Sequence, residues 1–232
     1  MKLTQSQITQ LYKFTKQHYV EFFDVQTELV DHLANDIEQI WEKHPHLSFE
    51  KARDISFKKF GVFGFMDVIE QKQKAMNKKY RKILWRFVKA WFSMPKIAIT
   101  ATIFFFFFTL LQIKYSEYIL VGVIAILIVF DMVKIFVNKR KNKKKKERKE
   151  KIFLLESMIG ETRNGFTGFS FISLFNFLQL IKFNFSSLAI HWVFIISIIA
   201  TLLCILFYVI NYIIPQKAEE LLEEIYPEYK MI

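Results

Sequence analysis

One compact group of side chains in this sequence has the residue types and the spacing of a metal site. Glu28, His32 and Asp36 stand four residues apart on a predicted helix and share one face, with Asp31 beside them. Carboxylates and imidazole bind divalent cations, but a closed site needs further ligands that this segment does not supply. We therefore favour a solvated helix face on which His32 pairs with its acidic neighbours. A face that holds an ion or a protein partner is the alternative.

Asp131 is the one carboxylate inside a long apolar run, where desolvation of its charge is expensive. An ionisable residue at such a position is a candidate for a proton or ion pathway. Asp131 nevertheless stands near the end of its run and three residues before Lys134, so it can form an ion pair or reach the interface. We favour this structural role and keep the proton or ion role as the alternative.

The most basic stretch of the chain, KRKNKKKKERKEK, begins at Lys139 and ends at Lys151. Nucleic-acid binding is not expected, because interleaved aromatic residues and a groove-reading fold are both lacking. A lysine-rich run beside an apolar segment is typical of a cytosolic flank that contacts anionic lipid headgroups. The predicted lipid contacts are Lys139, Arg140, Lys141, Lys143, Lys144, Lys145, Lys146, Arg148 and Lys149.

The sequence carries none of the common enzyme signatures. It has no glycine-rich phosphate loop, nucleophile elbow, zinc-protease helix or paired cysteine motif, and its 6 glycines leave little to build a phosphate loop from. Cys204 is the single cysteine, so an intramolecular disulfide is excluded. We therefore expect neither an enzyme nor a cofactor.

The elements that position these residues are predicted to be helices, most of them in a membrane. Phe occurs 27 times in 232 residues, mostly after Pro95, in apolar runs that a water-soluble surface could not carry. The expected fold is all-α, a small cytosolic helical domain followed by a transmembrane bundle of four helices in two hairpins. The predicted spans are 97–113, 119–137, 166–181 and 190–214 within 97–214, with a basic cytosolic loop at 138–152.

Charge placement predicts the topology. Residues 71–96 carry 9 basic and no acidic side chains, and they include a basic amphipathic helix at 77–96. Because Lys and Arg resist translocation, we expect both termini in the cytosol and a multi-pass protein of the bacterial inner membrane. Residues 215–232 form an acidic tail, predicted to dock on a basic segment or a partner. If 166–181 lies only in the interface, this tail moves outside.

Residues 1–76 are predicted to fold as a separate helical domain. Three short helices are predicted before residue 62. Thr4 with Gln7 has capping-box spacing, Asp24 and Ser48 are predicted helix caps, and Gly61 offers a left-handed stop. The second helix is predicted to carry an apolar stripe on one side: Val25, Leu29, Leu33, Ile37 and Ile40. A core of this size is marginal alone. We therefore expect it to rest on a following helix, a partner or a second copy of the chain.

The N-terminal residues resemble a known domain family. The run Glu28-Leu29-Val30-Asp31-His32-Leu33, and then Leu47-Ser48-Phe49-Glu50-Lys51-Ala52 leading to Lys59-Phe60-Gly61, resembles the HAAS-type helical domain of bacterial membrane proteins. The run Gly61-Val62-Phe63-Gly64-Phe65 is apolar where that family has a small polar turn. The resemblance implies a cytosolic signalling or interaction module without catalytic residues.

Two functions remain open from the sequence. The first is a membrane protein of the signalling or interaction class, whose cytosolic helices bind an unidentified protein partner and whose remainder contacts membrane lipids. A homo-oligomer is compatible with it. The alternative is a small transporter or permease accessory subunit, with Asp131 and a polar third span near the pathway.

Overall fold

The chain is all-helical over the residues that the computed structural model describes. These are residues 2–147, 151–165, 168, 184–227 and 229, without the side chains of 127, 130, 134, 138 and 141–147. No strand occurs among them. The chain divides into two compact units, one of Met1–Tyr80 with Lys151–Ser157 and one of Arg81–Glu150 with Met158–Ile232.

The first unit contains the three predicted N-terminal helices and the start of a fourth. They are α1 (Gln5–Gln17), α2 (Phe23–Lys43), α3 (Phe49–Lys58) and α4 (Met66–Lys89). The capping box of α1 is confirmed, with the backbone N–H of Gln7 donating to Thr4 Oγ1 at 3.3 Å and the N–H of Thr4 donating to Gln7 Oε1 at 2.8 Å. The Ser48 cap of α3 is also confirmed.

The core of the first unit follows the predicted helical pattern. α2 packs against α1 and α3. The predicted apolar stripe of α2 is buried: Val25, Leu29, Leu33, Ile37 and Ile40. Because this stripe repeats every three to four residues, one side of α2 is available to the core and the other carries its charges.

The first unit also includes residues 151–157. From the sequence, 151–152 were predicted to belong to the basic loop and 153–157 to the segment after it. The backbone N–H of Phe23 donates to the carbonyl of Ile152 at 2.8 Å, and the Phe23 and Phe153 rings pack edge to face at 5.7 Å. Phe153 and Leu155 are fully buried. Residues so distant in the sequence complete the core because their apolar side chains fill space that 1–76 leaves open.

Asp24 shows the same long-range connection. It was expected to cap α2, but that expectation is wrong, because the N-cap of α2 is Phe22 and has no side-chain cap. Instead, Asp24 Oδ1 accepts a hydrogen bond at 3.0 Å from the backbone N–H of Leu154, the first residue of α7 (residues 154–165). Asp24 therefore satisfies an N–H group at the start of a different helix.

The second unit contains the apolar helices. They are α5 (Lys96–Leu110), α6 (Ser116–Glu147) and α8 (Ile190–Tyr208), and α8 continues to Gln216 through a π-helical turn at Val209–Ile213. Pro215 explains the π-helical turn, because it has no N–H to donate to the carbonyl of Asn211 and its ring crowds that turn. A short acidic helix, α9 (Ala218–Ile225), follows.

Among the residues that the structure describes, two helical segments are long and apolar enough to cross a membrane, Ser116–Val137 and Ile190–Gln216. A third span would be present if two further helices, which meet at a bend of 83°, together form one span. These helices are Met66–Phe92 and Lys96–Leu110. The predicted first span was 97–113, but the helix at this place ends at Leu110. The chain turns after Leu110, and Tyr115 adopts a positive φ of 68°. The predicted span 166–181 lies outside the described residues.

The turn after α5 and the residues just before α8 lie at the same end of the second unit. Leu111 follows α5, Phe185 precedes α8 and Val193 lies in the first turn of α8, and these three side chains form one buried cluster. α5 packs against α8 along its length, with the Phe104 and Phe194 rings 5.3 Å apart. The two helices are therefore antiparallel.

The basic stretch differs from the expected loop, because the backbone of α6 stays helical through Glu147. Lysine and arginine are good helix formers, so a basic composition does not end a helix. α4 is also longer than the predicted 77–96 segment and begins at Met66. Ile83, on the apolar side of α4, is buried against other parts of the protein, whereas Trp85 is exposed.

Candidate functional site

The acidic face of α2 is occupied by ion pairs with lysines of other elements. Glu28 Oε2 lies 2.6 Å from Lys72 Nζ of α4, and Glu28 Oε1 lies 3.9 Å from His32 Nε2. Asp36 forms an ion pair and hydrogen bond with Lys59, just after α3. These contacts support the interpretation of a solvated, ion-paired helix face.

The pKa of Asp36 agrees with this pairing. Partial burial by itself would raise the pKa of the Asp36 carboxyl, but the hydrogen bond and positive charge of Lys59 outweigh it and hold the pKa below its ordinary value. Asp31, the remaining member of the group, is exposed. Within the described part of the chain no three His, Cys, Asp or Glu side chains are grouped so that they could hold a metal ion.

An apolar tip projects from the first unit between α3 and α4. Gly61 and Gly64 both adopt positive φ, +80° and +55°, which glycine tolerates at little cost. A Cβ at Gly64 would lie only 3.0 Å from the Phe57 ring, so a larger residue there would push on that ring as well as strain the backbone. Val62 and Phe63, between the two glycines, are 97% and 71% exposed. We call Val62, Phe63 and the exposed Met66 the apolar tip.

The tip is held outward by an aromatic anchor. Phe65, directly after Gly64, is buried among the rings of Phe14, Phe57 and Phe60 at centroid distances of 4.9–6.2 Å. Phe65 points into the core, and the two glycines of positive φ allow the chain to turn just before it. The Val62 and Phe63 side chains, which lie between these glycines, therefore point to solvent. Exposed aromatic and aliphatic side chains grouped in this way mark interaction sites.

Asp131 lines a cavity in the second unit. The cavity has a volume of about 380 Å³, and its polar side chains come from α6, α7, the π-helical turn and the end of the helix after that turn. Its lining includes Asp131, Arg163, Asn211, Tyr212 and Gln216. Asp131 is only 3% exposed and Asn211 is buried as well. Among the described residues, the lining of the cavity therefore combines one acidic, one basic and several neutral polar groups with apolar side chains.

Arg163 is the basic counterpart of Asp131 in this cavity. Burial lowers the pKa of the Arg163 guanidinium, and the nearby Asp131 carboxylate opposes that shift through its charge. The predicted pairing of Asp131 with Lys134 stays a prediction, because the Lys134 side chain lies outside the description. No local pattern in the sequence predicts Arg163 as a neighbour of Asp131, because 32 positions separate the two residues. Asn211 could have been found as a polar residue inside an apolar run.

An aromatic cluster lies beside the cavity. Tyr212 stacks on Tyr208 at 5.3 Å, and Tyr208 contacts the Trp91 ring edge to face at 5.6 Å. Lys96 Nζ lies 5.7 Å from the centroid of the Trp91 ring. Tyrosine, tryptophan and lysine together at the end of an apolar helix are typical of the membrane–water boundary.

The predicted lipid-contact residues are described only in part. Lys139 and Arg140 are exposed on α6, and the Arg140 guanidinium lies 4.7 Å from the Phe136 ring centroid. The side chains of Lys141, Lys143, Lys144, Lys145 and Lys146, and all of Arg148 and Lys149, lie outside the described residues. Their assignment to anionic lipid stays a prediction.

The acidic tail docks on a basic segment, as predicted. Glu224 of α9 makes a bidentate ion pair with Arg86 of α4, with both N–O distances at 3.0 Å. The apolar face of α9 is buried at Leu221 and Leu222. The hydrogen bond from Arg86 lowers the pKa of Glu224, and that from Glu224 raises the pKa of Arg86.

No protein-family model, curated protein or solved structure matches this chain. The resemblance of the N-terminal residues to the HAAS-type domain therefore remains a prediction from the sequence. The structural features that bear on function are the apolar tip, the ion-paired face of α2 and the cavity around Asp131.

Proposed function

We propose that the chain is an integral membrane protein of the signalling or interaction class, and that its first unit binds a protein partner through the apolar tip. The observation that carries the proposal is the outward projection of Val62 and Phe63, which are 97% and 71% exposed on the first unit. A tip with this exposure, held by two glycines of positive φ, is costly in water unless a partner covers it.

The membrane part of the proposal is supported by the two apolar helical segments and by their exposed surfaces. Side chains such as Phe105, Ile126 and Val129 are large, apolar and mostly exposed. Such surfaces are expected where hydrocarbon is the solvent. Two to three helices of this kind are consistent with a membrane protein.

The packing of residues 151–157 supports a cytosolic location for the first unit. These residues follow the lysine-rich stretch and complete the core formed by residues 1–80. The N-terminal helices and the end of the basic stretch must therefore share one side of the membrane. Because ten basic residues favour the cytosolic side, that side is proposed to be the cytosol of a bacterial cell.

Site-specific photo-cross-linking in living cells tests the partner. A photoreactive amino acid replaces Phe63 in the full chain, and a matched variant carries it at Glu42, an exposed position of α2 away from the tip in sequence. The proposal expects a discrete protein adduct at position 63 that is absent at position 42. An adduct only to lipid, or the same adducts at both positions, would contradict it.

A second variant keeps this test independent of the cross-linker. Val62→Ser with Phe63→Ser removes the apolar tip and leaves the anchor Phe65 in place. It should abolish cross-linking from a probe at Met66 while thermal stability of the purified chain stays unchanged. An adduct with the mass of a dimer would identify a second copy of the chain as the partner.

A further inference from the structure

The part of α4 that belongs to the second unit has an exposed side on which a tryptophan lies among positive charges. Trp85 is 67% exposed. Three exposed cations lie three or four residues from Trp85 along the helix and therefore share its side: Arg81, Lys82 and Lys89. We call these four residues the Trp85 face.

The opposite side of the same segment is covered by protein. Ile83 is buried, and Leu84 and Phe87 are partly buried. Ile83 and Phe87 are each two residues from Trp85, and two residues turn a helix by about 200°. The apolar side of α4 is therefore used within the chain, and the Trp85 face is the side that remains available for other contacts.

The positive charges of the Trp85 face are not compensated by carboxylates. Residues 71–96 contain no Asp or Glu. In the described part of the chain, the three cations of the face form no ion pair. Arg86 does pair, with Glu224 of the acidic tail, but it lies about 100° around the helix from Trp85. The acidic tail therefore contacts the flank of α4 and leaves the Trp85 face uncovered.

The direction of α4 fits a helix that lies along a membrane surface. α5 packs antiparallel to α8, which is one of the segments proposed to cross the membrane. α4 meets α5 at a bend of 83°, so α4 runs nearly parallel to the surface that α5 enters. Just after the Trp85 face, Trp91 contacts Tyr208 and Lys96, a combination typical of the headgroup level.

We propose that the Trp85 face binds the headgroups of anionic phospholipids. Lysine and arginine near a membrane surface attract anionic lipid, and a tryptophan ring is favoured at the headgroup level. A basic helix with an exposed tryptophan that lies along the surface meets both conditions. This surface is separate from the lysine-rich stretch that begins at Lys139. It rests on the membrane-spanning part of the proposed function.

Photo-cross-linking of the full chain in lipid nanodiscs tests the proposal. A photoreactive phenylalanine analogue replaces Trp85, and the nanodiscs contain equal amounts of phosphatidylglycerol and phosphatidylethanolamine with the same acyl chains. We expect adducts in which phosphatidylglycerol exceeds phosphatidylethanolamine roughly fivefold, the factor that one Lys or Arg contributes near an anionic surface. Equal amounts of the two adducts, or adducts to protein only, would overturn the proposal.

The matched control carries the same analogue at Phe87, on the opposite side of the same segment. Because protein partly covers this position, lipid adducts should be several times fewer than at position 85. Equal yields of lipid adduct at the two positions would show that the Trp85 face is not the side of α4 that contacts lipid.

A triple variant tests the charges while the photoreactive group stays at position 85. It neutralises the three cations of the face: Arg81→Gln, Lys82→Gln and Lys89→Gln. The preference for phosphatidylglycerol should disappear. A control removes the same number of charges from α1 and α3 and should keep the preference: Lys13→Gln, Lys16→Gln and Lys51→Gln. An unchanged preference in the first variant would contradict the assignment, and the comparison of positions 85 and 87 remains decisive if a variant fails to fold.

Failure of this site can be distinguished from failure of the membrane-spanning proposal. A chain that alkaline carbonate releases from cell membranes would refute the proposal that it spans them. A chain that resists this extraction and gives no lipid adduct at position 85 would refute only the Trp85 face.

Discussion

At the scale of single residues, chemically identical side chains have opposite roles in the first unit. Phe153 is 1% exposed and packs against Phe23, whereas Phe63 is 71% exposed at the apolar tip. Both residues are phenylalanines, so residue type alone does not distinguish them. The difference comes from what surrounds each ring, and it has measurable consequences for stability.

Phe153→Ala should lower the free energy of unfolding of the first unit by about 3–5 kcal/mol, because it empties a fully packed position. Phe63→Ala is the matched control and should change it by less than about 0.5 kcal/mol. Hydrogen exchange of the α2 amides in the full detergent-solubilised chain measures both. Equal effects of the two substitutions would show that residues 151–157 do not contribute to this core.

At the scale of elements, the tail helix α9 is attached to α4 through one bidentate ion pair above a small apolar contact. The Arg86 and Glu224 side chains are each about half exposed, at 52% and 55%. Solvent and salt therefore screen their attraction. The attachment is expected to be specific in geometry and modest in energy.

A double-mutant cycle with Arg86→Ala and Glu224→Ala should give a coupling of about 0.5–1 kcal/mol at neutral pH, in the upper range for an exposed pair. The folded pKa of Glu224 is lowered, so the coupling is present above its ordinary pKa. It is lost as pH falls through the lowered folded pKa. Hydrogen exchange of the α9 amides measures the coupling at each pH.

Glu220→Ala is the control for this cycle. Glu220 pairs with Lys217, three residues before it at the start of the same tail, at 2.7 Å. Its removal should leave the coupling between Arg86 and Glu224 unchanged. A coupling of zero at neutral pH, or one that grows as the pH is lowered, would contradict the assigned role of the pair.

At the scale of the whole molecule, the proposed topology assigns every connection to one side of the membrane. The first unit, the basic stretch and the acidic tail are assigned to the cytosol. The turn after α5 and the segment before α8 share one buried cluster and are assigned to the opposite side. Each assignment can be measured independently.

Single cysteines in a Cys204→Ala background test this arrangement with a membrane-impermeant thiol reagent. Val62→Cys and Glu219→Cys should be labelled only after the cytosolic side is opened. Lys114→Cys and Ser186→Cys should be labelled in intact cells, because both positions are exposed, the first in the turn after α5 and the second just before α8. Labelling of Glu219→Cys in intact cells would reject an even number of spans.

Much of the local structure followed from the sequence alone. The caps at Thr4 and Ser48, the stop at Gly61 and the apolar stripe of α2 depend on residues at most four positions apart, so local spacing predicts them. The apolar segments within α6 and α8 are also predictable, because hydropathy over about twenty residues is a local property.

The candidate sites were decided by tertiary structure. Leu154 is 130 positions from Asp24, Glu224 is 138 positions from Arg86, and no local pattern pairs them. The cavity likewise needs Asp131, Arg163 and Asn211 from three separate segments. Sequence by itself determined the apolar segments and the helix starts at Thr4 and Ser48, because those features depend on near neighbours. Only the packed chain decided which charges meet and which aromatic side chains remain exposed, because those outcomes depend on which distant surfaces fill each other's space.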